Sequence, residues 1–170
     1  MTKNKEMMNL SKPESEGASY LKWQPGENKI RIVKEMIDGW ETWDNSDKNN
    51  PKVYRQPAKF TTEEHKGLNT DGKQRQFYAG LVWNYVSEKL EIMTITQKSI
   101  KEAIYFAATD PDWGSYTGYD FVVTKTGSGM DTSYSILPKP HKEFEFQEVV
   151  DSTFCDLKRL YINEDPFEEQ

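Results

Sequence analysis

Apolar and polar residues alternate along several short stretches of the chain, and this period of two is typical of half-buried strands. The first such stretch, residues 28–36, follows the turn-forming sequence at 24–27. A short aromatic piece, residues 39–43, is expected to continue this strand after a bend. The pattern therefore predicts one strand, with a possible extension, near the start of the chain.

Two hairpins are predicted further along. Residues 77–86 and 90–96 are strand-like and flank a three-residue turn, and residues 119–125 and 132–137 flank a glycine-containing turn. In the first of these strands, Phe77, Ala79, Leu81, Trp83 and Tyr85 share one face, while Tyr78, Gly80, Val82 and Asn84 share the other. One face must belong to the core, and the alternation alone leaves open which one.

Between the hairpins the apolar spacing becomes helical. Ser99 with Glu102 three residues later forms a capping box, or Thr96 caps the helix one turn earlier. The helix is expected to end before Asp110, because a residue that precedes proline disfavours the helical conformation. Its apolar stripe at positions i, i+3, i+4 and i+7 consists of Ile100, Ala103, Ile104 and Ala107.

This order of elements predicts a mainly β protein. Five strands with one helix between the third and fourth is the order of the OB-fold, a five-stranded, partly open barrel that binds oligonucleotides and oligosaccharides. Residues 44–75 would form a long loop after the first strand, and such a length indicates a functional loop or an insertion. The predicted regions are a flexible arm (1–19), the OB-fold core (20–140), a helical extension (141–161) with a short helix from Asp151, and an acidic tail (162–170).

The formal net charge of −6 argues at first against binding to nucleic acid. Residues 1–142, however, hold 20 Lys and Arg against 19 Asp and Glu, whereas residues 143–170 hold 2 against 9. The body of the chain is therefore balanced and the acidity is concentrated at the C-terminal end, so the pooled charge is a poor guide to partners.

The composition also limits the chemistry. The single cysteine, Cys155, allows no internal disulfide, and together with His65 and His141 it cannot form a Cys/His zinc cluster. There is no phosphate-binding glycine motif, no catalytic serine motif and no nucleophile beside a histidine, so we expect neither an enzyme nor a cofactor. No signal peptide and no membrane span are expected, and a reducing cytosol is the expected location.

One enzymatic alternative stays open, a metal-dependent nuclease using Asp110 and Asp112. Loop aspartates beside proline are more often turn formers than metal ligands. This alternative predicts Mg²⁺-dependent cleavage of DNA that substitution of either aspartate would abolish.

Basic and aromatic residues are interleaved in the manner that a single-strand binder requires, since cations follow the phosphates and exposed rings stack on bases. For Trp83 and Tyr85 core packing is an equally good explanation, and exposed loop lysines are often merely solvated. The candidate cations are Arg31, Lys52, Arg55, Lys59, Lys73 and Arg75. The candidate stacking rings are Trp40, Trp43, Tyr54, Tyr78, Trp83 and Tyr85.

Three segments, PGENKIRIV, FYAGLVWNY…LEIMTITQKSIKEAI and YDFVVTKTGSGMDTSYSILP, resemble tailed-phage single-stranded DNA-binding proteins over about residues 20–140. The resemblance includes Gly127 and Gly129 followed by Thr132, Tyr134 and Ile136, and it implies an OB-fold. Some members of this family carry a zinc site in the loop after the first strand. In this chain His65 stands alone there, so zinc is not implied.

The resemblance implies sequence-independent binding of single-stranded DNA during phage replication, recombination or repair, in the cytoplasm of an infected bacterium. Near the C-terminal end, Asp165, Pro166 and Phe167 lie in an acidic stretch similar to the acidic tails that such proteins often carry, although here Glu168, Glu169 and Gln170 follow the Phe. This tail is expected to compete with DNA and to dock phage or host replication and recombination proteins. The alternative is an OB-type module of a virion that binds carbohydrate or protein.

Overall fold

The computed structural model describes residues 19–169. It contains seven strands and three short or medium α-helices, with additional 3₁₀ turns at Tyr116–Gly118, Gly129–Asp131 and Leu157–Ile162. The strands are β1 (Gly26–Ile32), β2 (Ile37–Asp44), β3 (Lys52–Gln56), β4 (Arg75–Asn84), β5 (Lys89–Ile95), β6 (Tyr119–Thr126) and β7 (Ser133–His141). The helices are α1 (Thr62–Leu68), α2 (Lys98–Thr109) and α3 (Gln147–Asp151).

The longest strand, β4, organises an antiparallel sheet. It pairs with β5 along one edge and with β1 and β2 in turn along the other, and β3, β6 and β7 extend the sheet outward. The sheet is open, with the strand order β3-β2-β4-β1-β6-β7 and β5 attached to β4. The mainly β class is therefore confirmed, whereas the predicted five-stranded barrel is not, because the sheet has seven strands in the described residues and is not closed.

Two local features account for the extra strands. The predicted first strand stops at Ile32 and resumes at Ile37, because Met36 leaves the strand ladder and its N–H donates to the Tyr116 hydroxyl (2.8 Å). The predicted loop 44–75 contains β3 and α1. A capping box starts α1, in which Thr61 and Glu64 exchange hydrogen bonds between side chain and backbone.

Both hairpins and the central helix are confirmed. The cap of α2 differs from the prediction, since its N-cap is Gln97 and makes no side-chain capping bond. The helix ends at Thr109, directly before Asp110, as expected. The second hairpin is longer than predicted, because β7 continues through two prolines to His141. An edge strand tolerates proline because its outward N–H has no ladder partner to lose.

Both faces of β4 are buried, which answers the question that the alternation left open. Val82 packs with Ile100 and Ile104 of α2 on one face. Phe77 and Leu81 pack on the other face against the C-terminal segment. That segment covers the sheet with Val150 of α3 and with Leu157 and Leu160, all of them buried. The sheet is thus the middle layer between α2 and the C-terminal segment.

Of the predicted N-terminal arm, only Ser19 lies within the described residues. Its carbonyl accepts a hydrogen bond from the Ile92 N–H, and the Leu21 N–H donates to the Ile92 carbonyl (both 2.8 Å). The chain therefore enters the fold beside the outer edge of β5.

Candidate nucleic-acid interface

A groove of about 600 Å³ lies where β2 and β4 meet α2. The strand register places Trp40 of β2 opposite Gln76 of β4, with Tyr78 two residues further along. Its walls combine four aromatic rings with three cations. The lining residues are Trp40, Gln74, Arg75, Gln76, Tyr78, Thr96, Lys98, Lys101, Glu102, Tyr105 and Phe106.

The amphipathic pattern of α2 explains why two rings face this groove. Ile100, Ile104 and Ala107 are buried against the sheet. Tyr105 and Phe106 fall outside that stripe and are 55% and 67% exposed. Their ring centroids lie 6.1 Å apart at an interplanar angle of 66°. The helix therefore presents an edge-to-face aromatic pair to solvent at the rim of the groove.

Lys101 is the most firmly positioned cation of the groove. Its ammonium donates a hydrogen bond to the Gln76 carbonyl (3.0 Å). Burial lowers the pKa of Lys101, and the neighbouring carboxylate of Glu102 acts in the opposite direction. Burial raises the pKa of the Tyr78 phenol, and Asp38 and Tyr105 raise it further. Tyr78 is therefore neutral at physiological pH and offers an uncharged ring.

A second concavity of about 530 Å³ adjoins the first, and the two share Gln74 and Arg75. Trp43, which is 40% exposed, and Lys73 lie along it. The Thr42 hydroxyl donates to the Lys73 carbonyl (2.6 Å) and so fixes the backbone of this loop beside β2. Together the two concavities form one surface, here called the aromatic groove, that runs from α2 to the β2–β3 turn.

Lys59 lies beside the aromatic groove and contacts one of its rings. Its ammonium is 4.7 Å from the centroid of the Trp40 ring. The adjacent Gly39 permits close approach of β3, because a Cβ at this position would lie 2.5 Å from the Gln56 carbonyl oxygen. Of the other predicted cations, Lys73 and Arg75 line the groove, and Lys52 is exposed at the start of β3.

The remaining two predicted cations are engaged inside the protein. Arg55 donates to the Glu41 carboxylate (3.1 Å), and its side chain is only 11% exposed. Arg31 is 2% exposed and donates to Asp120 (2.7 Å) and to the backbone carbonyls of Thr117 and Lys142. The structure therefore does not bring these two guanidinium groups to the aromatic groove.

The predicted stacking rings also fall into two groups, those that line the aromatic groove and those that lie elsewhere. Trp40, Trp43 and Tyr78 line the aromatic groove. Tyr54 lies elsewhere, in a shallow site beside Tyr161. Trp83 and Tyr85 contact other residues of the protein instead. Trp83 is buried on the other face of the sheet.

The contacts of Trp83 and Tyr85 show why neither ring is free to stack. Trp83 is stacked on Phe146 with centroids 4.6 Å apart. Tyr85 donates its hydroxyl hydrogen to Asp120 (2.8 Å). Burial raises the pKa of Tyr85, and the hydrogen bond to Asp120 raises it further. For these two residues the core interpretation left open by the sequence matches the observed contacts.

The acidic C-terminal end packs against the protein. Pro166 is buried, and its carbonyl accepts a hydrogen bond from the Asp156 N–H (2.8 Å). The Phe167 N–H donates to the Asp165 carboxylate (2.9 Å), and the Phe167 ring packs against the cluster that contains Leu157 and Leu160. These three predicted tail residues therefore lie on the sheet face opposite α2.

Among the cations and rings of the groove of about 600 Å³, four were missed by the sequence reasoning, namely Lys98, Lys101, Tyr105 and Phe106. For Tyr105 and Phe106 the sequence did contain a signal that could have identified them. They are adjacent aromatics on a predicted helix and lie outside its apolar stripe, so the helical pattern itself places them toward solvent.

Asp110 and Asp112, the residues of the nuclease alternative, lie in a turn at the surface. Asp110 and Asp112 are exposed, and the Asp112 N–H donates to the Asp110 carboxylate in a local turn (2.9 Å). Within residues 19–169, no group of three or more His, Cys, Asp and Glu side chains could hold a metal ion. No helix in this part of the chain is both long and apolar enough to cross a membrane.

Comparison of the chain with family models, with curated proteins and with solved structures found no match. The interpretation of the aromatic groove therefore depends on its own geometry and chemistry.

Proposed function

We propose that the protein binds single-stranded DNA without sequence preference and coats it during phage DNA replication, recombination or repair, using an open sheet of the OB type. The observation that carries this proposal is the composition of the aromatic groove. The rings of Trp40, Tyr78, Tyr105 and Phe106 share one concave surface with the cations Arg75, Lys98 and Lys101.

Each component of the groove suits an unpaired strand. Base stacking on an aromatic side chain contributes about 1–3 kcal/mol per base and tolerates any sequence, because every base has a π-face. The cations can pair with backbone phosphates and release condensed counterions. A groove that offers rings and cations recognises a strand through features that all sequences share.

The position of the acidic residues supports the same function. Residues 143–170 hold 2 Lys and Arg against 9 Asp and Glu, whereas residues 1–142 hold 20 against 19, so the net negative charge of the chain comes from this segment. Val150, Leu157 and Leu160 attach this segment to the sheet face opposite α2. The negative charge of this segment therefore lies away from the aromatic groove, whose own lining holds the cations Lys73, Arg75, Lys98 and Lys101 and the carboxylates Glu41, Asp71 and Glu102.

Docking of a partner protein by the tail requires a rearrangement of the C-terminal segment. For Phe167 to anchor a replication or recombination protein, its ring must first leave the cluster around Leu157 and Leu160. The competition proposal likewise requires Asp165 and its neighbours to move from one face of the sheet to the other.

A double variant of the helix rim tests the proposed function. Oligo-dT should quench the tryptophan fluorescence of the wild-type protein at low salt, and Tyr105→Ala with Phe106→Ala should weaken binding about 5-fold to 150-fold per lost stack. Phe154→Ala is the matched control, because Phe154 is also an exposed ring (39%) but belongs to the C-terminal segment.

Salt dependence separates DNA binding from the carbohydrate alternative. Binding through phosphates should weaken steeply as salt rises, whereas binding of a neutral sugar should be nearly indifferent to salt. Absence of quenching by oligo-dT at low salt, or binding of a glycan that salt does not affect, would contradict the proposed function.

A further inference from the structure

Lys59 and Trp40 are in direct contact in the free protein. The ammonium of Lys59 lies 4.7 Å from the centroid of the Trp40 ring, which is within cation–π distance. In the described part of the chain, no carboxylate lies close enough to Lys59 to form an ion pair. The ring is therefore the one charge-complementary contact that the structure shows for this ammonium.

The backbone around Lys59 is held on both sides. The Gln56 side-chain amide donates to the carbonyls of Ala58 (3.0 Å) and Lys59 (3.3 Å). The next residue, Phe60, is buried and exchanges two hydrogen bonds with the Gln74 side chain (2.8 and 3.2 Å). Lys59 is itself exposed, so a flexible charged side chain extends from a fixed point beside the ring.

The energies of the competing contacts decide what happens when a strand arrives. A cation over an exposed aromatic ring changes a binding equilibrium by a factor of about 2 to 5. A base stacked on the same ring changes it by a factor of about 5 to 150. A base can therefore displace the ammonium, and the released ammonium lies next to the phosphate backbone that carries the base.

We propose that Trp40 and Lys59 form a single nucleotide-binding unit, in which Lys59 leaves the indole ring for a backbone phosphate when a base stacks on Trp40. This inference rests on the proposed function. It adds that the ring and the cation act in one exchange, with Lys59 positioned in advance by the ring that it later gives up.

The test combines ¹⁹F NMR with a salt titration. The five tryptophans are labelled as 5-fluorotryptophan, and the Trp40 signal is assigned with Trp40→Phe. In the free protein, Lys59→Met should shift the Trp40 signal, because the ammonium over the ring is gone. In the complex with oligo-dT the Trp40 signals of wild type and Lys59→Met should coincide, because the ammonium has left the ring in both.

The salt titration reports the destination of the ammonium. Lys59→Met should reduce the slope of log affinity against log salt by about 0.7, which corresponds to one phosphate contact on a single strand. Lys158→Met is the matched control, because Lys158 is an exposed lysine of the C-terminal segment, and it should leave the slope unchanged.

The possible failures are distinguishable. If the wild-type protein binds oligo-dT but Lys59→Met leaves the salt slope unchanged, or the two Trp40 signals still differ in the complex, this inference is overturned and the proposed function stands. If the wild-type protein does not bind oligo-dT at all, the proposed function is refuted and this inference falls with it.

Discussion

Arg31 illustrates how the role of one charged residue depends on its surroundings. Sequence parity places it opposite the apolar positions of β1, which is compatible with an exposed cation. The structure instead surrounds it with acceptors on Asp120, Thr117 and Lys142. Those partners lie between 86 and 111 residues away along the chain. The alternation of residues along a strand shows on which face a side chain lies, but it does not show which other segments cover that face.

Asp120→Ala should be strongly destabilising. It would leave the Arg31 charge buried and unpaired, and breaking a buried pair in this way costs about 3–5 kcal/mol. Urea denaturation should show this loss in the free energy of unfolding. The control is Glu63→Ala, which breaks the exposed Glu63–Lys66 pair (3.8 Å) and should cost less than about 1 kcal/mol. Equal effects of the two variants would contradict the structural role assigned to Arg31.

Cys155 should be an unreactive thiol at neutral pH. Burial raises the pKa of the Cys155 thiol to about 11; the Lys34 ammonium acts in the opposite direction, and Asp156 and Asp165 raise the pKa by smaller amounts. A raised pKa favours the protonated thiol in the folded state. Burial of the protonated thiol therefore contributes to the free energy of unfolding at neutral pH, and this contribution is lost as the pH rises toward 11.

Thiol alkylation provides the measurement for Cys155. In native protein at pH 8 the alkylation should be much slower than in urea-unfolded protein, and the native rate should rise as the pH approaches 11. Rapid native alkylation at pH 8 would show that the thiol is accessible and ionised, contrary to its environment in the structure.

At the scale of elements, the most consequential one is the C-terminal segment that covers the sheet. The sequence predicts a helical extension and an acidic tail there, and the apolar residues Leu157, Leu160 and Phe167 are visible in it. What the sequence does not show is that β4 has a second apolar face in need of cover. A strand buried on both faces looks similar, in a single sequence, to one that alternates between core and ring-lined surface.

Phe167→Ala should destabilise the fold measurably. The ring is half-buried against the Leu157 and Leu160 cluster, so we expect a loss of about 1–2 kcal/mol, below the 3–5 kcal/mol of a fully buried phenylalanine. Thermal and urea unfolding would measure it. Phe106→Ala, which removes a ring that is 67% exposed, should change stability by less than about 0.5 kcal/mol. A Phe167→Ala protein as stable as wild type would show that the tail is not part of the packed structure.

At the scale of the whole molecule, local patterns determined most of the element order but not the closure of the sheet. The hairpins and α2 are local, and their periodicity is visible in the sequence. The pairings of β2 with β4 and of β1 with β6 join segments that are distant along the chain, and the sheet remains open at β3 and β7. For the aromatic groove, Trp40, Trp43, Tyr78, Lys73 and Arg75 could be predicted because charge and rings cluster around β2 and β4. The contribution of α2 required knowledge of which side of the helix faces the sheet.

The acidic C-terminal segment lies on the face of the sheet opposite the aromatic groove. If the protein coats a strand as proposed, molecules with their grooves turned toward the DNA would carry the carboxylates of this segment on the outside of the array. The coated strand would then repel other polyanions much as bare DNA does. A chain that binds DNA on one side would in this way keep a second strand from joining the same complex.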